Sequence, residues 1–195
     1  MLKQKLYNHK IILASGSPRR QDFFSKLDID FTIDVREVEE IFDESLKREA
    51  ITDYLSQLKA SAFNDISEKE IVITSDTIVW KDNKALGKPI DAADAKKMIR
   101  SLSNTMHEVF TSVTFTMANK QVTVNDCTKV WFKTLTDEEI AFYVDNYKPF
   151  DKAGSYGIQD WLGYIGIEKI EGCFFNVMGL PTRKVYQGLL DIATK

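Results

Sequence analysis

Histidine and cysteine are scarce in this 195-residue chain, at two of each. Cys127 and Cys173 lie far apart and outside any C-x-x-C spacing. The chain therefore lacks a zinc ribbon or a disulfide framework; one disulfide is the most it can form, and reduced thiols in a cytoplasmic setting are expected. No H-E-x-x-H accompanies His107 or His9, so a zinc site is unsupported and His107 reads as a structural or helper hydrogen-bonding group. A basic field is missing too: 26 Lys and Arg face 29 Asp and Glu, for a net charge of −3, with no Lys/Arg tract. That balance disfavours nucleic acid as a partner, and any basic site has to be local. Nothing approaches the roughly 20 apolar residues that span a bilayer, and Met1-Leu2-Lys3-Gln4-Lys5 is not followed by an apolar signal core. Neither membrane association nor a leader is expected. G-x-S-x-G and G-x-G-x-x-G are absent, which argues against esterases of the α/β-hydrolase fold and Rossmann oxidoreductases. Repeats, low-complexity tracts and Pro/Gly-rich linkers are absent as well. With 44% hydrophobic and 28% charged residues, the chain reads as one globular domain over 1–195, or two closely joined lobes.

What is present is a series of short apolar runs and clear helix starts. Residues 10–15 read as a buried strand, 18–27 as a helix and 31–35 as a strand, followed by an acidic loop over 36–49. A helix is expected over 52–66 with Thr52 as its cap. The β-branched stretch 71–87, broken at Lys81-Asp82-Asn83, predicts a hairpin. Asp91 caps a helix to Leu102, alternation over 109–115 predicts a half-buried strand that turns at 118–120 into 121–134, and Thr136 with Glu139 forms a capping box for a helix over 136–146. Short strands near 163–168 and 173–178 and a final helix from Thr182 complete the pattern. Interspersed helices with hairpin-linked strands imply an α/β fold with a mixed twisted sheet, flanking helices, and two lobes around a cleft. The long apolar strands over 109–132 leave room for a homodimer.

Four stretches can carry chemistry. In L-A-S-G-S-P-R-R (13–20), Ser17-Pro18 starts a helix, yet its first turn holds Arg19 and Arg20, where the helix dipole opposes cations. An anion resolves the conflict, cradled by free N–H groups and two guanidinium forks beside a small Gly16; otherwise these are two solvated arginines on a surface helix. In T-S-D-T-I-V-W (74–80), Asp76 interrupts an apolar strand, where a buried carboxylate needs a cation, a metal or backbone donors. L-G-K-P-I-D (86–91) fixes Lys88 on a stiff turn and is not a P-loop, since Asp82 stands where the first glycine would be. D-K-A-G-S-Y-G-I-Q-D-W (151–161) is a glycine-containing loop between ordered elements. Cations (Arg19, Arg20, Lys59, Lys88, Lys152) among acids (Glu39, Glu40, Asp76, Asp151) suit a polyphosphate and a divalent cation.

Together, L-A-S-G-S-P-R-R-Q-D-F-F, L-S-Q-L-K-A, S-D-T-I-V-W, L-G-K-P, H-E-V-F-T-S-V, D-K-A-G-S-Y-G-I-Q and N-V-M-G-L-P resemble, in order and from Leu13 to Pro181, the Maf family of nucleotide pyrophosphatases. The resemblance implies a fold akin to the inosine-triphosphate pyrophosphatases, with a nucleotide cleft. It also implies hydrolysis of a nucleoside triphosphate to the monophosphate and pyrophosphate with Mg²⁺ or Mn²⁺. Asp76 is then the catalytic base, or holds the water through the metal. Ser15, Ser17, Arg20, Lys59 and Lys88 bind phosphate, and Glu40 with Asp76 binds the metal, with Glu37, Glu39, Asp43 and Glu44 as other acids in reach of that role. Arg19, Thr77 and Gln159 match the branch acting on dTTP and UTP; a branch acting on 7-methyl-GTP and a non-catalytic nucleotide sensor or cell-division regulator are the alternatives. The chain departs from the family pattern at Ser56, Asn104, Ser112 and Asp160, which bear on loop geometry and not on proton transfer.

Overall fold

Ser17-Pro18, Asp91 and the Thr136/Glu139 box all start helices as their chemistry dictates, in a computed structural model that describes residues 1–194. The chain runs α1 (Leu2–Lys5), β1 (Lys10–Leu13), α2 (Pro18–Lys26), β2 (Phe31–Ile33) and α3 (Glu49–Ala60). The hairpin follows as β3 (Glu70–Lys81) and β4 (Lys84–Leu86), then α4 (Ala92–Leu102), β5 (Met106–Met117) and β6 (Lys120–Phe132). After α5 (Asp137–Tyr147) come a 3₁₀ turn (Ala153–Ser155), α6 (Trp161–Gly166), β7 (Ile167–Glu171), α7 (Phe174–Val177) and α8 (Thr182–Ala193).

The strands form one seven-stranded sheet in the order β2-β1-β3-β5-β6-β7, with β4 also on β3. β1 is parallel to both β2 and β3, whereas β4 on β3 and β7 on β6 are antiparallel, so the sheet is mixed as expected. Parallel pairing on both edges fits the continuous apolar run of β1, and the first half of β3, parallel to β1, continues it: Ile11, Leu13, Ile71, Val72 and Ile73 are all buried.

The chain groups into two compact units. One comprises Met1–Asp76, Thr111–Asp126 and the chain from Gly179 onward; the other comprises Thr77–Phe110 and Cys127–Met178. In the first, Ile12, Phe63 and Val72 cluster, and Phe24 meets Phe31 edge to face at 5.5 Å. In the second, Ala95, Ile99 and Leu102 of α4 pack with Val130, Phe132, Ile140 and Tyr143. Val109, Val113, Phe115, Val130 and Phe132, the apolar positions of the long strands, are buried within the protein itself. No helix among the described residues is long and apolar enough to cross a membrane, and both cysteines are free thiols.

Several boundaries differ from the sequence reading. α3 starts at Glu49 after Arg48, which adopts φ 56°, and ends at Ala60. Thr52 is not its cap: the residue is buried within the helix, and its hydroxyl meets Ser112 Oγ at 2.6 Å. The expected strand at 163–168 is helix α6 followed by β7, and the expected strand at 173–178 contains helix α7. There the Asn176 side chain donates to Val109 O and Thr128 Oγ1, a tertiary demand that overrides local β preference. The short α1, which buries Leu2, carried no sequence expectation. His107 is structural: it is buried, its Nε2 lies 2.7 Å from Tyr156 Oη, and its ring packs edge to face on Phe132 and Tyr156.

Candidate active site

The loop after β1 is tied down by its own side chains. Ser15 is buried, and its Oγ accepts from Ser17 N at 3.2 Å and from Arg20 Nη1 at 3.5 Å. Pro18 holds the first helical position, and Ser17 sets the extended entry to α2 without a side-chain cap bond of its own. Arg20 then reaches out of α2 to two backbone carbonyls, donating from Nε to Gly179 O at 2.8 Å and from Nη1 to Ser75 O at 3.0 Å. Burial pulls the Arg20 pKa down to about 10; the carboxylates of Asp76 and Glu40 oppose that shift, while Arg19 adds to it. Arg20 therefore stays cationic at neutral pH and joins the loop, β3 and the start of the Gly179 segment.

β3 carries the acid. From Ile71 to Asp76 every side chain is buried, and Asp76 itself is 8% exposed. Its charge is met by Lys59 from the last turn of α3, with Nζ 2.6 Å from Asp76 Oδ1 and 3.0 Å from Glu40 Oε2. Among the acids of 36–44, Glu40 is thus the one joined to Lys59, whereas Asp43 accepts from Ser45 N at 2.7 Å. α3 is anchored through hydroxyls. Besides Thr52 to Ser112, Ser56 Oγ meets Thr114 Oγ1 at 2.8 Å and Thr74 donates to Ser56 O at 2.7 Å. Asp53 accepts from both Ser112 and Asn125. Two departures from the family pattern, Ser56 and Ser112, are therefore working members of the support beneath Lys59.

Ser15, Ser17, Arg19, Arg20, Glu40, Lys59 and Asp76 all belong to the first unit. Thr77, Lys88 and Gln159 belong to the second. Thr77 directly follows Asp76 on β3, and Lys88 is exposed after β4. The loops carrying Lys88 and Gln159 are joined by Gly154 N donating to Gly87 O at 3.0 Å; Gly154 sits at φ 66° with Val79 packed where its side chain would be. Gln159 Oε1 is buried with no hydrogen-bond partner. Around it, Tyr143 Oη accepts from Gly157 N at 3.0 Å and donates to Asp160 Oδ2 at 2.8 Å, and Lys152 Nζ lies 3.9 Å from the same carboxylate oxygen.

The carbonyls of Ser75 and Gly179, which hold Arg20, and, in the other unit, Tyr143 and Asp160, which brace the 157–160 turn, are features that sequence reasoning missed. A glycine inside N-V-M-G-L-P was the available signal for one of them, since Gly179 adopts φ 105°. Among the described residues no group of three or more His, Cys, Asp or Glu is placed to hold a metal unaided.

A family model described as Maf-like protein matches residues 10–192. A dTTP/UTP pyrophosphatase of Christiangramia forsetii is 60% identical over 98% of this chain and 98% of its own. One of Flavobacterium johnsoniae is 58% identical over 98% of this chain and its full length, and one of Bacteroides fragilis is 45% identical over 96% and 98%. Among solved structures, a HAM1 protein from Coxiella burnetii matches with a TM-score of 0.50 over 94% of this chain and 99% of that one. At 13% identity that likeness shows the fold alone.

Proposed function

The chain belongs to the Maf-like protein family, and on that premise we propose that it hydrolyses dTTP and UTP to the monophosphate and pyrophosphate. The enzyme is a nucleoside triphosphate pyrophosphatase. The observation that carries the reading is the buried Asp76 carboxylate, paired with Lys59, which also meets Glu40, and next to the charge of Arg20, in a chain 60% identical to a dTTP/UTP pyrophosphatase.

In this reading Asp76 takes a proton from a water that attacks the α-phosphorus. The bond from that phosphorus to its bridging oxygen breaks, and pyrophosphate leaves. A positioned base of this kind contributes about 10²–10⁴-fold, and β3 provides the rigid mount. Arg19, Lys59 and the amides after Ser15 offset the charge that builds up on the phosphates. A side chain at Gly16 would meet nothing within 4 Å, so packing does not explain the glycine, while close approach of a phosphate does. Ser17 and, in the other unit, Lys88 are phosphate-binding residues in this reading.

The donor set fits a divalent cation. Asp76 and Glu40 already converge on one cationic atom, and Mg²⁺ is commonly held by one or two carboxylates with phosphate oxygens and waters completing its shell. Those two residues would hold Mg²⁺ or Mn²⁺, which when bound supplies charge neutralisation at the phosphates. Gln159, Thr77 and Arg19 select the substrate. The unpartnered Gln159 Oε1 suits the N3–H of uracil or thymine, which offers a donor flanked by carbonyls. A free nucleotide substrate and two free thiols fit a cytoplasmic setting.

Product analysis with Mg²⁺ across dTTP, UTP, CTP, ATP, GTP and 7-methyl-GTP, for wild type and Asp76→Asn, tests this. Pyrophosphate from dTTP and UTP that vanishes in the variant is the expected result. Turnover of 7-methyl-GTP alone overturns the substrate, orthophosphate overturns the reaction, and binding without turnover makes the protein a sensor.

A further inference from the structure

Glu40 stands on a stretch outside the sheet and the helices. Residues 34–43 are irregular, and the turn in which Ile41 N donates to Glu39 O at 2.8 Å puts Glu40 at its centre. A bond of that kind shapes the turn without placing it on the rest of the fold. Placement comes from Arg36, four residues earlier. Its Nη1 donates to Ala62 O at 2.9 Å and to Asp65 Oδ1 at 2.7 Å, while Nε and Nη2 donate to Asp34 Oδ2 at 3.3 and 3.2 Å. The guanidinium also lies over Phe63, 4.2 Å from the ring centroid, and that ring is buried against Ile12 and Val72. An exposed ion pair alone contributes little. A planar fork that meets two carboxylates and a carbonyl while stacked on a buried ring is held in one orientation.

Ala62 and Phe63 lie just past α3, whose last turn carries Lys59. The contacts therefore close a ring. Residues 36–40 and 59–62 are joined at one end by Arg36 to Ala62 O, and at the other by Lys59 Nζ, 3.0 Å from Glu40 Oε2. Four residues span at most about 14 Å, so the clasp confines Glu40 to the surroundings of Lys59. Without it, Glu40 would ride on the irregular chain between β2 and α3, which has many more arrangements open to it.

We propose that Arg36 is a positioning residue: its guanidinium pins the 34–40 segment to the end of α3 and thereby holds Glu40 beside Lys59, in place for the divalent cation. The proposal rests on the function argued above, in which Glu40 is a metal ligand.

Arg36→Met keeps an apolar stem for Phe63 and removes the fork. A water-soluble carbodiimide joins a carboxylate to an amine where the two touch, and mass spectrometry of the digest measures each joined pair. In protein free of metal and substrate, the Glu40–Lys59 link should fall severalfold in Arg36→Met, relative to the Lys3–Asp30 link, an exposed pair at 2.9 Å outside the clasp. A residue that only stabilises the fold would lower the urea midpoint and leave that ratio unchanged, which overturns the proposal. A wild type that forms no Glu40–Lys59 link contradicts the placement itself. With dTTP, the Mg²⁺ concentration for half-maximal rate should rise about tenfold, the lower end for groups that orient a metal ligand. An unmoved half-saturation point also overturns the proposal. If Arg36→Met does not fold, Arg36→Lys, which keeps the charge without the fork, takes its place with the same expectations. Wild type that turns over neither dTTP nor UTP sinks the functional reading, while the cross-link ratio still decides whether Arg36 places Glu40.

Discussion

Lys59 Nζ stands 2.6 Å from Asp76 Oδ1 and 3.0 Å from Glu40 Oε2, so one ammonium joins the proposed base to the proposed metal ligand. The lysine and a divalent cation then draw on the same carboxylates. Lys59→Met should lower kcat on dTTP by about 10²-fold, as expected for loss of a phosphate-directed charge. It should also lower the Mg²⁺ concentration needed for half-maximal rate, because the competing cation is gone. A magnesium titration of both proteins checks the second effect; an unchanged half-saturation point would separate Lys59 from the metal site.

The two neighbouring arginines are expected to respond differently to substitution. Arg20 donates to Gly179 O and Ser75 O, and hydrogen bonds from a charged group contribute about 1.5–3 kcal/mol each. Arg20→Ala should therefore destabilise the protein by roughly 3–6 kcal/mol, read as a shift of the urea midpoint. Arg20→Lys should recover only part of that, since one ammonium cannot reproduce the guanidinium fork. Arg19→Ala should raise KM for dTTP and UTP. An unchanged KM would remove Arg19 from substrate selection.

These outcomes track what was readable in the sequence. Motifs whose chemistry is local were legible: the Ser17-Pro18 start, the Asp91 cap, the Thr136/Glu139 box and the Lys81–Asn83 turn all form as read. An acid inside an apolar strand announced Asp76. What stayed hidden depends on distant partners. Thr52 looks like a cap until Ser112, 60 residues away, takes its hydroxyl. Trp161–Gly166 is helical although two glycines disfavour it, and one of them, Gly163, is required because it lies against the Ile158 carbonyl where any side chain would collide. The carbonyl contacts of Arg20 could not be read because main-chain partners leave no mark in side-chain pattern.

His107 gives the fold a pH signature. Burial, reinforced by the charge of Lys81, holds its pKa down to about 3 from 6.5. The unfolded chain takes up this proton first as pH falls, so the contribution is fully present above pH 6.5 and is lost progressively from there down to about pH 3. Between pH 7.5 and 5.5 the wild type should lose about 1 kcal/mol by this route, and His107→Gln should lose correspondingly less. Denaturant midpoints at the two pH values give the comparison, and parallel losses in both proteins would remove His107 as the cause.

The central claim is that water assisted by Asp76 attacks the α-phosphorus of a pyrimidine triphosphate. Hydrolysis of UTP in H₂¹⁸O, followed by mass spectrometry of both products, tests it directly. The account predicts one ¹⁸O in UMP and none in pyrophosphate; label in the pyrophosphate would place the attack on the β-phosphorus and contradict it.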